Sequence, residues 1–160
     1  MDLPGSIPLY TRRRREIPNA QDQDLPRLAR QRVVDGYRKK YPLVRLRRPP
    51  CGQYNCHGLT FANRRTGIHD PDAVSTILAD DGFREIRLSD VQCGDLVVYL
   101  DGGEISHTGV VLEVKEGVPA DSMLRAVKII SKWGNAAEYV HMATDGPYSG
   151  HVVTYWTDRP

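Results

Sequence analysis

Leu96-Val97-Val98-Tyr99-Leu100-Asp101-Gly102-Gly103-Glu104-Ile105-Ser106-His107-Thr108-Gly109-Val110-Val111 reads as a β-hairpin. The apolar run Leu96 to Leu100 stops at Asp101-Gly102-Gly103, a turn signal, and Ser106 to Val114 returns as the second strand. Further short runs follow: Ala126 to Ser131, Tyr139 to Met142 and Val152 to Trp156. Upstream the signals are helical. Asp70 caps and Pro71 opens a helix over residues 70–81, and Gly82 ends it. Asn55 stands before another helix that begins at Cys56. Helices first and short antiparallel strands after is an α+β plan, with a small curled sheet or half-barrel.

The 160 residues suit one domain, and 40% apolar content supports a packed core. No apolar run reaches the roughly 18–20 residues of a membrane span. Met1-Asp2-Leu3-Pro4-Gly5 lacks the basic-then-apolar pattern of a signal peptide, so the chain is expected to be cytoplasmic as synthesised. The net charge of +2 hides an asymmetry. Residues 1–50 hold 13 Lys+Arg against 5 Asp+Glu, a net of +8, and residues 51–160 hold 9 against 15, a net of −6. The division predicts a basic N-terminal arm, 1–50, and a mildly acidic domain, 51–160.

Pro4, Pro8, Pro18 and the run Arg12-Arg13-Arg14-Arg15 predict that residues 1–22 are extended or disordered. Asp24 and Pro26 suit the start of a helix over about 24–40, ended by Tyr41-Pro42. Residues 45–50 read as a linker. A basic arm invites a nucleic-acid reading, but no aromatic residues interleave with the arginines and no nucleic-acid motif follows. The arm is therefore expected to pack on the acidic domain or to meet a partner protein.

Cys51, Cys56 and Cys93 are an odd set without a signal peptide, which argues against a disulfide framework. Cys51 and Cys56 have no matched second pair, so no metal site is expected. A nucleophile fits better. A thiol at a helix start is lowered in pKa by free backbone N–H groups. Cys56 sits there, and Gly58 is expected to leave room beside it. Its base must be a His from elsewhere in the fold. Of His57, His69, His107, His141 and His151, the adjacent His57 is expected to point away from the sulfur. His107 is expected to open a strand and be aimed at the sheet rim.

These blocks resemble the NlpC-type and CHAP-type cysteine peptidases and amidases, a branch of the papain-like superfamily. The resemblance rests on Asn55-Cys56-His57-Gly58-Leu59, then Cys93-Gly94-Asp95-Leu96-Val97, then Ser106-His107-Thr108-Gly109-Val110, in order across residues 51–142. It implies a papain-like fold, a Cys56–His107 catalytic pair, no cofactor and a peptide or protein substrate. The family orients its His with a polar residue on the following strand. Ile130-Ser131-Lys132-Trp133-Gly134 resembles the family's Asn-Ser-Trp-Gly stretch with Ser131 at the Asn position, and Asn135, Glu138 and His141 are alternatives. Gln53 or Tyr54 would supply an oxyanion donor beside the Cys56 amide.

The implied activity is cleavage of an amide or isopeptide bond, in an effector or toxin delivered by a specialised secretion system. The same pair would serve a deamidase, transglutaminase or acyltransferase, and a non-enzymatic adaptor would keep the fold alone. The activated-thiol reading predicts that Cys56 alkylates before Cys93. Specificity is expected from loops at 63–71, 115–124 and 143–150.

Overall fold

The computed structural model describes residues 5–116 and 125–160. The elements in chain order are α1 (Arg27–Lys40), β1 (Arg45–Arg48), α2 (Cys56–Phe61), α3 (Pro71–Asp80), β2 (Arg84–Ile86), β3 (Leu96–Asp101), β4 (Glu104–Lys115), β5 (Ala126–Lys132), β6 (Glu138–Met142) and β7 (Val152–Thr157). The decisive hairpin is β3–β4. Its turn needs Gly102 and Gly103, whose φ angles of 58° and 86° lie where a side chain is disfavoured. Every pairing is antiparallel, in the order β1-β6-β5-β4-β3-β7-β2. The α+β class holds, and the sheet is larger than the sequence predicts, with seven strands among the described residues.

The two extra strands lie at the margins. The predicted linker is β1, antiparallel to β6. Its sequence Arg-Leu-Arg-Arg is exposed throughout, so it carries no alternation to read. β2 has only three residues. α1 starts later than predicted because Asp24 is not its cap: that carboxylate accepts the Gly52 N–H at 2.7 Å, and Pro26 takes the cap position.

Residues 5–22 form no helix or strand but are fixed to the rest, so of the two expectations, extended or disordered, disorder does not hold. Leu9 and Ile17 are buried in one core with Val74, Leu96 and Val98. Thr11 donates to Asp80 at 2.7 Å, Arg15 pairs with the same carboxylate, and Arg12 pairs with Asp158 at 2.8 Å. A boundary at residue 50 therefore does not separate an appendage from a domain.

The sheet has two covered faces because β3 is buried at Leu96, Val97, Val98 and Tyr99 without interruption. Leu96 and Val98 meet α3 through Val74, Ile77 and Leu78, and α2 packs on β4 and β5. Val97 and Tyr99 belong to the other face, with Val111, Val127 and Ile129. Farther along, α1 lays Val34 and Tyr37 on Trp133 and Tyr139. Gly58 does not leave room beside Cys56. A Cβ there would sit 1.8 Å from the Thr66 carbonyl oxygen, so the glycine lets α2 press against the chain that follows it. Among the described residues, no helix is long and apolar enough to cross a membrane.

Candidate functional site

Asn55 builds the start of α2 from both sides. Its Oδ1 accepts the Gly58 N–H at 2.9 Å and the Ile68 N–H at 3.1 Å, and its amide donates to the Ile68 carbonyl at 2.7 Å. The next residue, Cys56, is only 7% exposed and faces a cavity of about 300 Å³. His57, His69, Ser106, Asn135 and Tyr148 line the same cavity. Two of the loops expected to shape specificity thus contribute, through His69 and Tyr148. Residues 117–124 of the third lie outside the described residues. Burial pushes the Cys56 thiol up to about 11, although the backbone amides of Thr108, His57 and Cys56 and the Lys132 ammonium act in the opposite direction. The resting group is a thiol.

His107 does not open its strand, because β4 begins at Glu104. Tyr99 pairs with His107 and Leu100 with Ile105, so Ser106 is an extra, bulged residue. His107 and Thr108 are neighbours in β4 and point to opposite faces. Thr108 meets α2, and His107 lies on the side of Tyr99. Its ring is 0% exposed and stacks on Tyr148, with centroids 3.7 Å apart and planes 5° from parallel. Neither ring nitrogen has a hydrogen-bond partner among the described residues. Burial, together with the neighbouring His57, His141 and His151, holds its pKa well below the ordinary value, so the ring is neutral. Cys56 and His107 are not hydrogen-bonded. They meet indirectly: the sulfur lies against the amide of Thr108, and Tyr148 both lines the Cys56 cavity and covers His107.

Ser131 sits opposite Gly109, where an added Cβ would lie 3.2 Å from the Ser131 Cβ. It orients a different imidazole. The His141 Nδ1 faces two carbonyls, Met142 and Asp145, each at 2.8 Å, so that nitrogen carries the proton. Ser131 Oγ therefore donates to His141 Nε2 at 2.6 Å and accepts the Trp133 Nε1–H at 3.0 Å. Glu138, another alternative, is fully buried and bound elsewhere. It pairs with Arg47 at 2.6 Å and Arg64 at 2.7 Å, and it accepts the Tyr54 hydroxyl at 2.9 Å. That commits the one proton of Tyr54, and Gln53 is exposed and is not part of the cavity wall. Asn135 lines the cavity, and its side chain makes no hydrogen bond within the described residues.

His57 is the residue that the sequence reading passes over. Thr60 Oγ1 donates to the Cys56 carbonyl at 3.0 Å, and Thr108 Oγ1 donates to Thr60 Oγ1 at 3.1 Å. Thr108 must then accept the His57 Nδ1–H, at 2.9 Å. The chain of hydrogen bonds fixes the tautomer and leaves Nε2 as an acceptor on a side chain that lines the Cys56 cavity. Burial, then the nearby His69, lowers the His57 pKa to about 4. The signal for this role is the spacing of His57 and Thr60, one turn apart on α2, with a hydroxyl residue on the strand that carries His107.

Among the described residues, no cluster of three His, Cys, Asp or Glu side chains is placed to hold a metal ion. Comparison with known proteins returns no matching family model, curated relative or solved structure.

Proposed function

We propose that the chain is a papain-like cysteine hydrolase of the NlpC/CHAP type that cleaves an amide or isopeptide bond of a peptide or protein. The observation that carries this reading is a cavity-facing Cys56 and a buried imidazole, His107, both against Tyr148, with neither ring nitrogen hydrogen-bonded among the described residues. A buried polar group left without a partner costs roughly 1–3 kcal/mol, and such groups concentrate where chemistry needs them free. The order of a Cys-bearing helix, a His-bearing strand and the Ser131-Lys132-Trp133-Gly134 strand end supports the same family.

In this mechanism His107 takes the Cys56 proton, and the sulfur attacks the substrate carbonyl carbon. The negative oxygen of the tetrahedral intermediate is held by the Cys56 N–H and the Asn135 amide. The C–N bond breaks, His107 gives its proton to the leaving amine, and a thioester remains on Cys56. Water, deprotonated by His107, attacks the thioester, the C–S bond breaks and the thiol is restored. The missing Cys56–His107 hydrogen bond favours one other reading, an adaptor that kept the fold.

The test is mass spectrometry of peptide-amide libraries incubated with the protein. Hydrolysis adds one water across a bond, and acyl transfer adds an acceptor amine instead. Cys56→Ala and His107→Ala should each lower the rate by at least about a thousandfold while the circular dichroism spectrum is unchanged. Full activity of Cys56→Ala would overturn the assignment.

A further inference from the structure

Part of the positive charge in the first 50 residues is used internally. Arg12 meets Asp158, Arg15 meets Asp80, and Arg47 meets Glu138. Three arginines of α1 share one groove. Arg27, Arg30 and Arg38 recur at helical spacing and line a groove of about 400 Å³ whose far wall is Leu46, Pro49 and Pro50. None of the three has an ion pair among the described residues, whereas the acids nearest in sequence are occupied: Asp24 by the Gly52 amide and Asp35 by Gln31.

The floor between the arginines is apolar. Val34 lies at its base, and Leu46, on β1, is 45% exposed. β1 is also the last strand of the sheet, so its outer backbone edge is unpaired among the described residues. One positive wall, an apolar floor and far wall and a free strand edge are together complementary to an extended chain that carries both carboxylates and an apolar side chain. A single-stranded nucleic acid would want exposed aromatic platforms instead. The local aromatics, Tyr37 and Tyr41, are turned inward onto Trp133 at 4.8 Å and 5.7 Å.

We propose that the groove between α1 and β1 docks an acidic, extended peptide segment of a partner protein, seated by one apolar side chain against Leu46. The groove is independent of the Cys56 chemistry, but one turn joins them. Trp133 packs under α1, and the following Gly134 and Asn135 line the Cys56 cavity.

The experiment is fluorescence anisotropy of the full chain with a fluorescein-labelled peptide of alternating Glu and Leu. Comparison probes are a Glu/Ser peptide, a Lys/Leu peptide and a single-stranded oligonucleotide of matched charge. The Glu/Leu peptide should bind, more weakly as salt rises, and more tightly than each comparison probe. The combined variant Arg27→Glu, Arg30→Glu, Arg38→Glu should weaken it at least about tenfold, and Leu46→Ser several-fold. No binding to the natural sequence, undiminished binding to the charge-reversed variant, or tighter binding of the oligonucleotide would overturn the proposal. Should charge reversal disturb the fold, amide chemical shifts of the natural sequence titrated with the Glu/Leu peptide decide instead. Changes confined to α1 and β1 support the site, and changes elsewhere refute it.

Discussion

At the residue scale, the environment of Cys56 inverts an expectation. A thiol at a helix start should be acidic, but burial outweighs the backbone amides and raises it to about 11. The resting protein should therefore react with iodoacetamide at Cys93, which is exposed, before Cys56. Labelling of Cys56 should quicken about tenfold per pH unit from about pH 7 to about pH 10, following its thiolate fraction. Mass spectrometry of the labelled peptides reads both. A flat profile at Cys56 would mean that the thiolate is already formed. Cys56 and His107 were legible as candidates because each sits in a distinctive local pattern. The partner of Ser131 was not, since whether a hydroxyl meets His107 or His141 depends on which strands are neighbours and on a tautomer set by two carbonyls in the following turn.

At the scale of elements, α2 is held by close approach rather than by its own length. Six residues make a marginal helix, so its packing must supply the stability. Gly58→Ala would drive a methyl into the Thr66 carbonyl. Thermal and denaturant unfolding should show a loss of about 3 kcal/mol or more. An unchanged melting temperature would show that the Thr66 loop yields freely. Strands β3 to β7 and α3 were readable because alternation, apolar runs and caps are written locally. β1 was not. An edge strand of exposed arginines looks like a linker until β6 is beside it. The bulge at Ser106 is equally silent in the sequence, yet it decides which of Ser106, His107 and Thr108 faces α2.

At the scale of the whole molecule, Glu138 gathers β1, Tyr54 ahead of α2 and the loop after it around one buried carboxylate. Burial alone would raise its pKa, but Arg64, Arg47 and Tyr54 bring it below the ordinary value. A depressed carboxylate stabilises the fold above its unfolded pKa of about 4.3, and that stability is lost as pH falls through the folded value. Asp80, lowered to about 2 by Arg15, adds a loss in the same acid range. His57 and His107, buried neutral, contribute stability that is present above about pH 6.5 and declines as pH falls. Glu138→Gln should cost roughly 3 kcal/mol near neutrality and flatten the melting-temperature profile below about pH 4, leaving the decline that starts at about pH 6.5 in place. A chain lacking residues 1–50 should fail to give a cooperative melting transition. Its loss removes Leu9 and Ile17 from the core, β1 from the sheet and Arg47 from Glu138. A sharp transition in that truncated chain would restore the boundary at residue 50.

The hydrogen-bond chains around the cavity divide the histidines by what their protons are allowed to do. The proton of His57 is spoken for by Thr108, and that of His141 by two carbonyls, so each ring is frozen in one form. His107, between them on β4, has neither nitrogen pledged to any neighbour in the described residues. No hydrogen bond among the described residues selects one of its two neutral forms. Exchange between them breaks no hydrogen bond that the fold depends on.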